Sequence, residues 1–247
     1  MPFRPFLISQ LIAVRSASSN SNSGVLMASD PDALVRATKA GLRKEVKTRL
    51  KVLEADDIAR ASASIAQRLS DVPGIADAEA VSVYLAMAKE AQTNLILADL
   101  FARGKKVYIP RIMGPDPADM RMFPLASLAE IESFPSTKWG IPEPSAELVL
   151  SREDGVVAGD IDVVVAPGCA FDAACNRLGH GKGYYDCFLR RAEEVRRVLG
   201  RPRAAVVGIG LDEQLLEAVP TSAHDVSLDA VVTPTRTFWR GGGTAVA

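Results

Sequence analysis

The feature that most restricts the fold is the apolar run IDVVVAP at residues 161–167. A strand with one exposed face alternates apolar and polar residues, whereas a run without alternation is typical of a strand buried on both faces. A helix is predicted from about Tyr184 to Leu199, and the apolar run AAVVGIGL follows at residues 204–211. Buried strands that alternate with helices predict an α/β fold, with a mostly parallel central sheet, helices on both faces and a single domain.

The other predicted elements fit this class. Asp30 and Pro31 predict the start of a helix, because a capping acceptor precedes a proline at the first helical position. A second helix is predicted from Asp56 to Leu69, and a third from a cap at Thr93 to Gly104. Further strands are predicted at AVSVYLA (80–86), VYIP (107–110), MRMF (120–123) and LDAVVT (228–233), and a surface loop at FPSTKWGIPEPS (134–145).

Composition argues against two kinds of partner. The 247 residues are 48% hydrophobic, enough for a sizeable core, and the net charge of −1 gives no electrostatic footprint for nucleic acid. No apolar run reaches the roughly eighteen residues of a membrane span. We therefore expect no nucleic acid and no membrane as partner. A monomer is also expected, although composition does not determine the oligomeric state. The domain is predicted over residues 31–240, with a flexible tail over 241–247.

Three cysteines follow a C-x5-C-x11-C pattern that matches no zinc site. Free thiols in a reducing compartment are the prediction. One alternative stays open, because Cys169 in PGCAFD comes just after the buried run, where a nucleophile elbow would lie. Its base would be His180 or His224, which would make the protein a hydrolase. A buried, inert cysteine is the more common arrangement.

The first thirty residues differ from the rest of the chain. They contain Arg4, Arg15 and seven serines, and no acidic residue before Asp30. Arg- and Ser-rich, acid-poor segments are typical of organellar transit peptides. We predict a disordered extension over residues 1–30 that directs import into the mitochondrion. A plastid address, an extension without an address, and a cytoplasmic form that starts at Met27 are the alternatives.

Residues 176–186, NRLGHGKGYYD, are the strongest candidate site. Three alternating glycines let successive backbone N–H groups form a nest for an anion, and the helix that follows adds its dipole. Arg177 and Lys182 add full charges, and Asp186 suits a magnesium ion whose other ligands are phosphate oxygens and water. The segment therefore predicts polyphosphate binding, although it matches neither the Walker A nor the dinucleotide pattern. A tight structural turn is the alternative.

A basic stripe lies on the first predicted helix, at Arg36, Lys39, Arg43 and Lys47. Residues three or four apart share one helix face. A solvated surface is the ordinary interpretation of such a stripe.

Five motifs together resemble the 5-formyltetrahydrofolate cyclo-ligase family, also called methenyltetrahydrofolate synthetases. They are K-x-x-L-R (39–43), YLAMAKEAQT (84–93), WGIPEP (139–144), APGCAFD (166–172) and NRLGHGKGYYD. The resemblance runs from about Lys39 to Val232, and the glycine segment is its most specific part. It implies an enzyme that uses ATP and Mg²⁺ to convert 5-formyltetrahydrofolate, with or without a polyglutamate chain, into 5,10-methenyltetrahydrofolate, with release of ADP and phosphate.

The resemblance also implies roles for individual residues. Lys182 and Arg177 would be catalytic, and Asp186 and Asp225 would hold the metal. The implied ATP ligands are Lys39, Arg43, Arg177, Leu178, Gly179, His180, Gly181, Lys182, Gly183, Tyr184 and Tyr185. The implied folate pocket comprises Leu85, Met87, Glu90, Trp139, His180, Lys182 and Tyr184, with Glu90 on the pterin.

Three positions depart from the family pattern. Lys89 replaces an expected acidic residue, His180 an arginine or aromatic residue, and Cys169 an aliphatic residue. Relatives that keep the fold but serve as catalytically inactive nucleotide- or folate-binding modules tend to lose the charges of the site. This chain keeps Glu90, Lys182 and Asp186, which favours an active enzyme.

Overall fold

The computed structural model describes residues 31–138 and 140–246 of the chain. The helices are α1 (Pro31–Lys51), α2 (Ala55–Ser70), α3 (Asn94–Ala102), α4 (Leu128–Glu132), α5 (Ala146–Leu150), α6 (Gly155–Ala158) and α7 (Tyr184–Val198). The strands are β1 (Ala80–Val83), β2 (Lys106–Ile112), β3 (Met120–Leu125), β4 (Val163–Ala166), β5 (Ala170–Phe171), β6 (Arg177–Leu178), β7 (Ala205–Ile209), β8 (Ala230–Val232), β9 (Arg236–Trp239) and β10 (Gly243–Val246).

Eight of these strands form one sheet in the order β10-β9-β8-β7-β4-β1-β2-β3. The five strands from β8 to β2 run parallel, and antiparallel strands extend both edges. All four residues of β4 are buried, as the unalternated run predicts for a central parallel strand. The predicted α/β class with a mostly parallel sheet is confirmed.

Apolar side chains cover both faces of the sheet. Val163 and Val165 of β4 belong to the core under α2 and α3, whereas Val164 and Ala166 belong to the core under α7. Successive residues of a strand point to opposite faces, so the same four-residue segment contributes to both cores. This explains why its sequence is apolar throughout.

The glycine segment is reached through a hairpin that the sequence analysis missed. The segment does not follow the buried strand directly, because β5 and β6 lie between β4 and the segment, with Ala170 paired to Leu178 and Phe171 to Arg177. Two-residue strands are too short to show a periodic pattern. Arg177 and Leu178 therefore lie on a strand, not in the glycine loop.

Helix α1 packs over this hairpin. Val46 is fully buried in a small apolar cluster with Cys169 and Leu178, and Val219 completes the contact. The helix thus lies across the end of the sheet where the hairpin emerges. Its basic residues are consequently brought close to the glycine segment.

Three sequence predictions need comment at the ends of elements. Residues 241–247 were predicted as a flexible tail, but Gly243–Val246 form β10, which pairs with β9. Thr93 does precede α3, although its hydroxyl donates to the Tyr84 carbonyl oxygen and caps no helical amide. The N-cap predicted at Asp30, and the whole segment 1–30, lie outside the described residues.

Within the described residues, no helix is long and apolar enough to span a membrane.

Candidate active site

The glycine segment connects β6 to α7. Gly181 has φ +95° and Gly183 has φ +75°, a left-handed conformation that strains any residue with a Cβ. Gly183 is the N-cap of α7, so the segment ends at the positive end of a helix dipole. Lys182, between these two glycines, is exposed and has no hydrogen bond or ion pair with the other described residues.

Two basic residues of α1 contact the site. Arg43 Nε donates to the Gly179 carbonyl oxygen at 2.8 Å, and its guanidinium lies beside Gly181. Lys39 Nζ forms an ion pair of 2.5 Å with Asp225 Oδ2. Half of the predicted basic stripe therefore faces the site, while Lys47 is exposed.

Arg177 is buried beneath the segment, with only 3% of its side chain exposed. Its Nη2 lies 3.0 Å from Asp186 Oδ1 without hydrogen-bond geometry, so the contact is an ion pair alone. The guanidinium carbon lies 5.5 Å from the ring centroid of Tyr185, and Nη1 donates to the Pro167 carbonyl oxygen at 3.4 Å. Arg177 thus contacts three parts of the site, and its charge lies beneath the glycine segment.

Gly179 makes room for this arginine. A Cβ at that position would lie 3.0 Å from Arg177 Nη1, which is tighter than nine in ten real Cβ contacts, so the buried guanidinium would have to move by a few tenths of an ångström. The glycines of the segment therefore differ in purpose. Gly181 and Gly183 supply left-handed backbone, and Gly179 permits close packing against a buried cation.

Glu90 lies in the turn after β1 and faces the glycine segment. Its Oε2 accepts a hydrogen bond from the Met87 backbone N–H at 2.8 Å, and its Oε1 lies 3.4 Å from His180 Nε2. The Gln92 side chain donates to the Met87 and Glu90 carbonyl oxygens and holds the turn. The carboxyl ends of adjacent parallel strands share one edge of the sheet, which is why these distant residues meet.

Three weakly acidic groups surround the Glu90 carboxylate. Burial raises the pKa of Tyr84 well above its usual value, and the nearby Glu90 charge adds to the effect. Burial likewise raises the pKa of Tyr185, although Arg177 opposes the shift, and the Tyr185 hydroxyl has no hydrogen-bond partner among the described residues. Burial also raises the pKa of Cys169. All three groups are consequently neutral near pH 7.

Cys169 does not have the environment of a nucleophile. A raised pKa leaves it a thiol, and its side chain packs with Val46 and Leu178. His180 contacts Glu90, and exposed His224 contributes its backbone carbonyl oxygen to Arg190. These contacts favour the inert-cysteine interpretation over the hydrolase.

Asp186 and Asp225 are linked through one backbone amide. The Val226 N–H donates to Asp186 Oδ1, and Asp225 precedes Val226 in the chain. Burial disfavours the charged form of Asp225, but hydrogen bonds from Lys39 and Ser222 outweigh it and hold the pKa of this carboxyl below its usual range. Both carboxylates are engaged by a cation, and the described residues contain no cluster of three or more metal-ligand side chains.

Two contacts that support the site were not predicted. One is made by Tyr184, within a predicted motif, and the other by Gln214, outside the motifs. The Tyr184 hydroxyl donates to the Gly114 carbonyl oxygen at 3.0 Å, which attaches α7 to the loop between β2 and β3. Buried Gln214 donates to the carbonyl oxygens of Gly168 and Cys169, directly after β4. No local pattern marks a lone glutamine or a loop carbonyl, so the sequence offered no signal for either contact.

Comparison with known proteins decides the family. Residues 35–234 match the model of the 5-formyltetrahydrofolate cyclo-ligase family, and they make up most of the chain. The chain belongs to the 5-formyltetrahydrofolate cyclo-ligase family. The resemblance drawn from the five sequence motifs is thereby confirmed.

Relatives of the cyclo-ligase family match over most of their own length. The chain is 34% identical to the mouse 5-formyltetrahydrofolate cyclo-ligase over 198 residues, which are 80% of this chain and 94% of that protein. It is 30% identical to the Escherichia coli K12 enzyme of the same name over 173 residues, 70% of this chain and 87% of that protein. A relative from Arabidopsis thaliana, 28% identical over 79% of this chain and 74% of that protein, is called a mitochondrial 5-formyltetrahydrofolate cyclo-ligase.

Solved structures show the same fold. The 5,10-methenyltetrahydrofolate synthetase of Aquifex aeolicus superposes with a TM-score of 0.63 at 26% identity, covering 85% of this chain and 96% of that one. A synthetase from Mycoplasma pneumoniae, at 17% identity and a TM-score of 0.56 over 79% of this chain and 98% of that one, supports the fold alone. The single-domain prediction agrees with these matches.

The structure gathers most of the residues that the cyclo-ligase resemblance assigns. Lys39 and Arg43 from α1, Glu90 from the turn after β1, and Asp225 all surround residues 177–186. Half-buried Leu85 and Met87 lie in the same turn as Glu90. Trp139, which the resemblance places in the folate pocket, lies outside the described residues.

Proposed function

We propose that this chain catalyses the ATP- and Mg²⁺-dependent conversion of 5-formyltetrahydrofolate into 5,10-methenyltetrahydrofolate, with release of ADP and phosphate. Membership of the cyclo-ligase family supports the ring closure. The nucleotide, the metal and the role of each residue are proposed from the site. The observation that carries the proposal is the convergence of Glu90, Arg43 and exposed Lys182 on one left-handed glycine segment.

The chemistry needs no protein nucleophile. The formyl oxygen attacks the γ-phosphorus of ATP and ADP leaves, which gives a phosphorylated iminium. Nitrogen 10 then attacks the formyl carbon and loses its proton, and the C–O bond to phosphate breaks. The protein must bring the two substrates together and neutralise phosphate charge, and both effects lower the barrier when they are built into a rigid site.

Lys182 is the residue we assign to the transferred phosphoryl group. It is exposed on a segment whose backbone forms the start of a helix, where phosphate groups bind favourably. Arg43 lies beside Gly181 and adds charge on the α1 side. Arg177 contributes indirectly, since it is buried and fixes Asp186.

The residues fit a magnesium ion bound mainly by substrate. Mg²⁺ keeps several waters and takes one or two protein carboxylates together with phosphate oxygens. Asp186 and Asp225, linked through the Val226 amide, would hold it, and when bound it would offset charge on the triphosphate. A set of two carboxylates agrees with the lack of a larger ligand cluster among the described residues.

Glu90 is assigned to the pterin. Its carboxylate is nearly buried, and a buried carboxylate binds paired N–H donors strongly. Half-buried Leu85 and Met87 would supply apolar contacts from the same turn.

An absorbance assay on the full-length chain tests the proposal. The product absorbs in the near ultraviolet, and we expect turnover that requires both ATP and Mg²⁺. Omission of either should abolish it. If ATP and the folate bind without turnover, the chain is an inactive binding relative, and activity without ATP that is lost in Cys169→Ser would favour the hydrolase.

Lys182→Ala tests the phosphate assignment. We expect kcat to fall by about a hundredfold or more, the loss typical of one electrostatic contact to developing charge. Stability should change by less than about 0.5 kcal/mol, since the side chain is exposed. Lys47→Ala, at an exposed position of α1, is the matched control and should leave kcat unchanged. Equal kcat values for both variants would remove Lys182 from the mechanism.

We also propose that residues 1–30 direct import into the mitochondrion. Their composition and the mitochondrial relative from Arabidopsis support this address. Residues 1–30 fused to a fluorescent protein should reach mitochondria, with plastid or diffuse cytoplasmic signal as the contrary results. Cleavage should fall between Ser16 and Asp30, because a mature chain that begins beyond Lys39 would lack part of the proposed ATP site.

A further inference from the structure

One contact of Glu90 comes from the glycine segment itself. His180 Nε2 lies 3.4 Å from Glu90 Oε1, while Oε2 is held by the Met87 amide. The histidine side chain is 54% exposed, whereas that of Glu90 is only 11% exposed. A ligand that approaches this carboxylate from solvent therefore meets the imidazole.

We propose that His180 is a positioning residue for Glu90, which it holds in the unliganded enzyme and releases when folate binds. The inference rests on the proposed assignment of Glu90 to the pterin. When the imidazole is protonated, the contact is an ion pair, and folate must displace it. When the imidazole is neutral, the contact is weaker and the carboxylate is easier to reach. Folate affinity should accordingly fall as the pH decreases from 8 to 6.

The neighbouring groups do not change charge in that range. The weak acids near Glu90 are Tyr84, Tyr185 and Cys169, and burial raises the pKa of each, so they remain neutral. The cations of the adjoining segments are Arg43 beside Gly181 and Arg177 beside Tyr185. Lys182 is two residues from His180, and Lys89 precedes Glu90 but donates to the Leu53 carbonyl oxygen. Arginine and lysine side chains ordinarily stay charged well above pH 8. Histidine is the side chain that ordinarily titrates between pH 5 and 8.

The expected size of the effect follows from exposure. Ion pairs with one partly solvated member contribute modestly, and the imidazole is half exposed. We therefore expect folate to bind about two- to fivefold more weakly at pH 6 than at pH 8. The glutamate carboxylates of folate stay ionised between pH 6 and 8, so they add no pH dependence of their own.

The chain has only two histidines, which allows a matched control. Binding of 5-formyltetrahydrofolate to the full-length chain would be measured by calorimetry without ATP, at pH 6, 7 and 8. His180→Gln should bind folate with equal affinity at all three values, and more tightly than the natural protein at pH 6. His180→Arg carries a permanent charge and should bind weakly throughout. His224→Gln, at an exposed position, should keep the natural pH dependence.

Proton release provides an independent measurement. In buffers of different ionisation enthalpy at pH 6.5, folate binding should release a fraction of a proton from the natural protein and none from His180→Gln. A pH dependence that survives in His180→Gln, or tighter binding at pH 6 than at pH 8, would overturn the inference. Glu90→Gln separates the two claims, because unchanged folate affinity in that variant would refute the pterin assignment itself, whereas lost affinity supports it.

Discussion

Replacement of Arg177 by methionine should destabilise the fold by about 2–3 kcal/mol. Methionine keeps most of the aliphatic stem and removes the guanidinium, so the variant isolates the charge. Loss of one member of a buried ion pair costs about 3–5 kcal/mol, because the other charge stays buried without its partner. Here Asp186 keeps its hydrogen bond from the Val226 N–H and is 19% exposed, so the cost should fall below that range.

Thermal and urea unfolding of the full-length chain without magnesium would measure the effect. For a domain of this size, 1 kcal/mol corresponds to about 2–4 °C, so Tm should decrease by about 4–12 °C. Arg60→Met is the matched control, since Arg60 pairs with Asp57 on an exposed helix face and should cost less than about 0.5 kcal/mol.

A double-mutant cycle tests the cause. If the ion pair accounts for the loss, Arg177→Met combined with Asp186→Asn should cost at least about 1 kcal/mol less than the sum of the two single variants. Additive losses, or an Arg177→Met variant as stable as Arg60→Met, would refute the argument that Arg177 serves the site by fixing Asp186.

Three further outcomes are expected. Gly208→Ala should lower the free energy of unfolding in urea by about 1–3 kcal/mol, because its Cβ would lie 2.6 Å from the Phe171 ring. Gly41→Ala should raise it by about 0.5–1 kcal/mol, because Gly41 lies within helix α1 with open space around it. Equal unfolding midpoints would contradict this packing. Cys169→Ala should keep the natural kcat in the absorbance assay, and a large loss would revive the hydrolase. The ionised Asp225 should stabilise the fold at pH values above its unfolded pKa, and this contribution should disappear as the pH falls through its lower folded pKa. In unfolding experiments at decreasing pH, Asp225→Asn should therefore lose less stability than the natural protein.

The parallel sheet was predictable because its signal is local. All four consecutive residues of β4 are buried, because the strand is covered on both faces. The apolar run predicts this burial without any information from the rest of the chain. The glycine segment was predictable for a similar reason, since left-handed backbone at Gly181 and Gly183 demands glycine.

The arrangement of charges was not predictable from the sequence. Arg177 lies two residues before Gly179 and Lys182 lies between two glycines, and only the pairing of β5 with β6 shows that the arginine is buried while the lysine is exposed. Strand β10 escaped detection for a related reason. It begins at the third of three consecutive glycines, which ordinarily indicate a flexible tail, and its order comes from pairing with β9.

The position of α1 has a consequence for the order in which the molecule assembles. Arg43 contacts a residue 136 positions later in the chain, and Lys39 contacts one 186 positions later. Contacts between such distant residues form late, because the intervening chain must first be synthesised and ordered. Helix α1 therefore docks only after the last third of the chain is available. The proposed nucleotide-binding capacity should consequently appear only at the end of folding, when α1 packs against the rest of the domain.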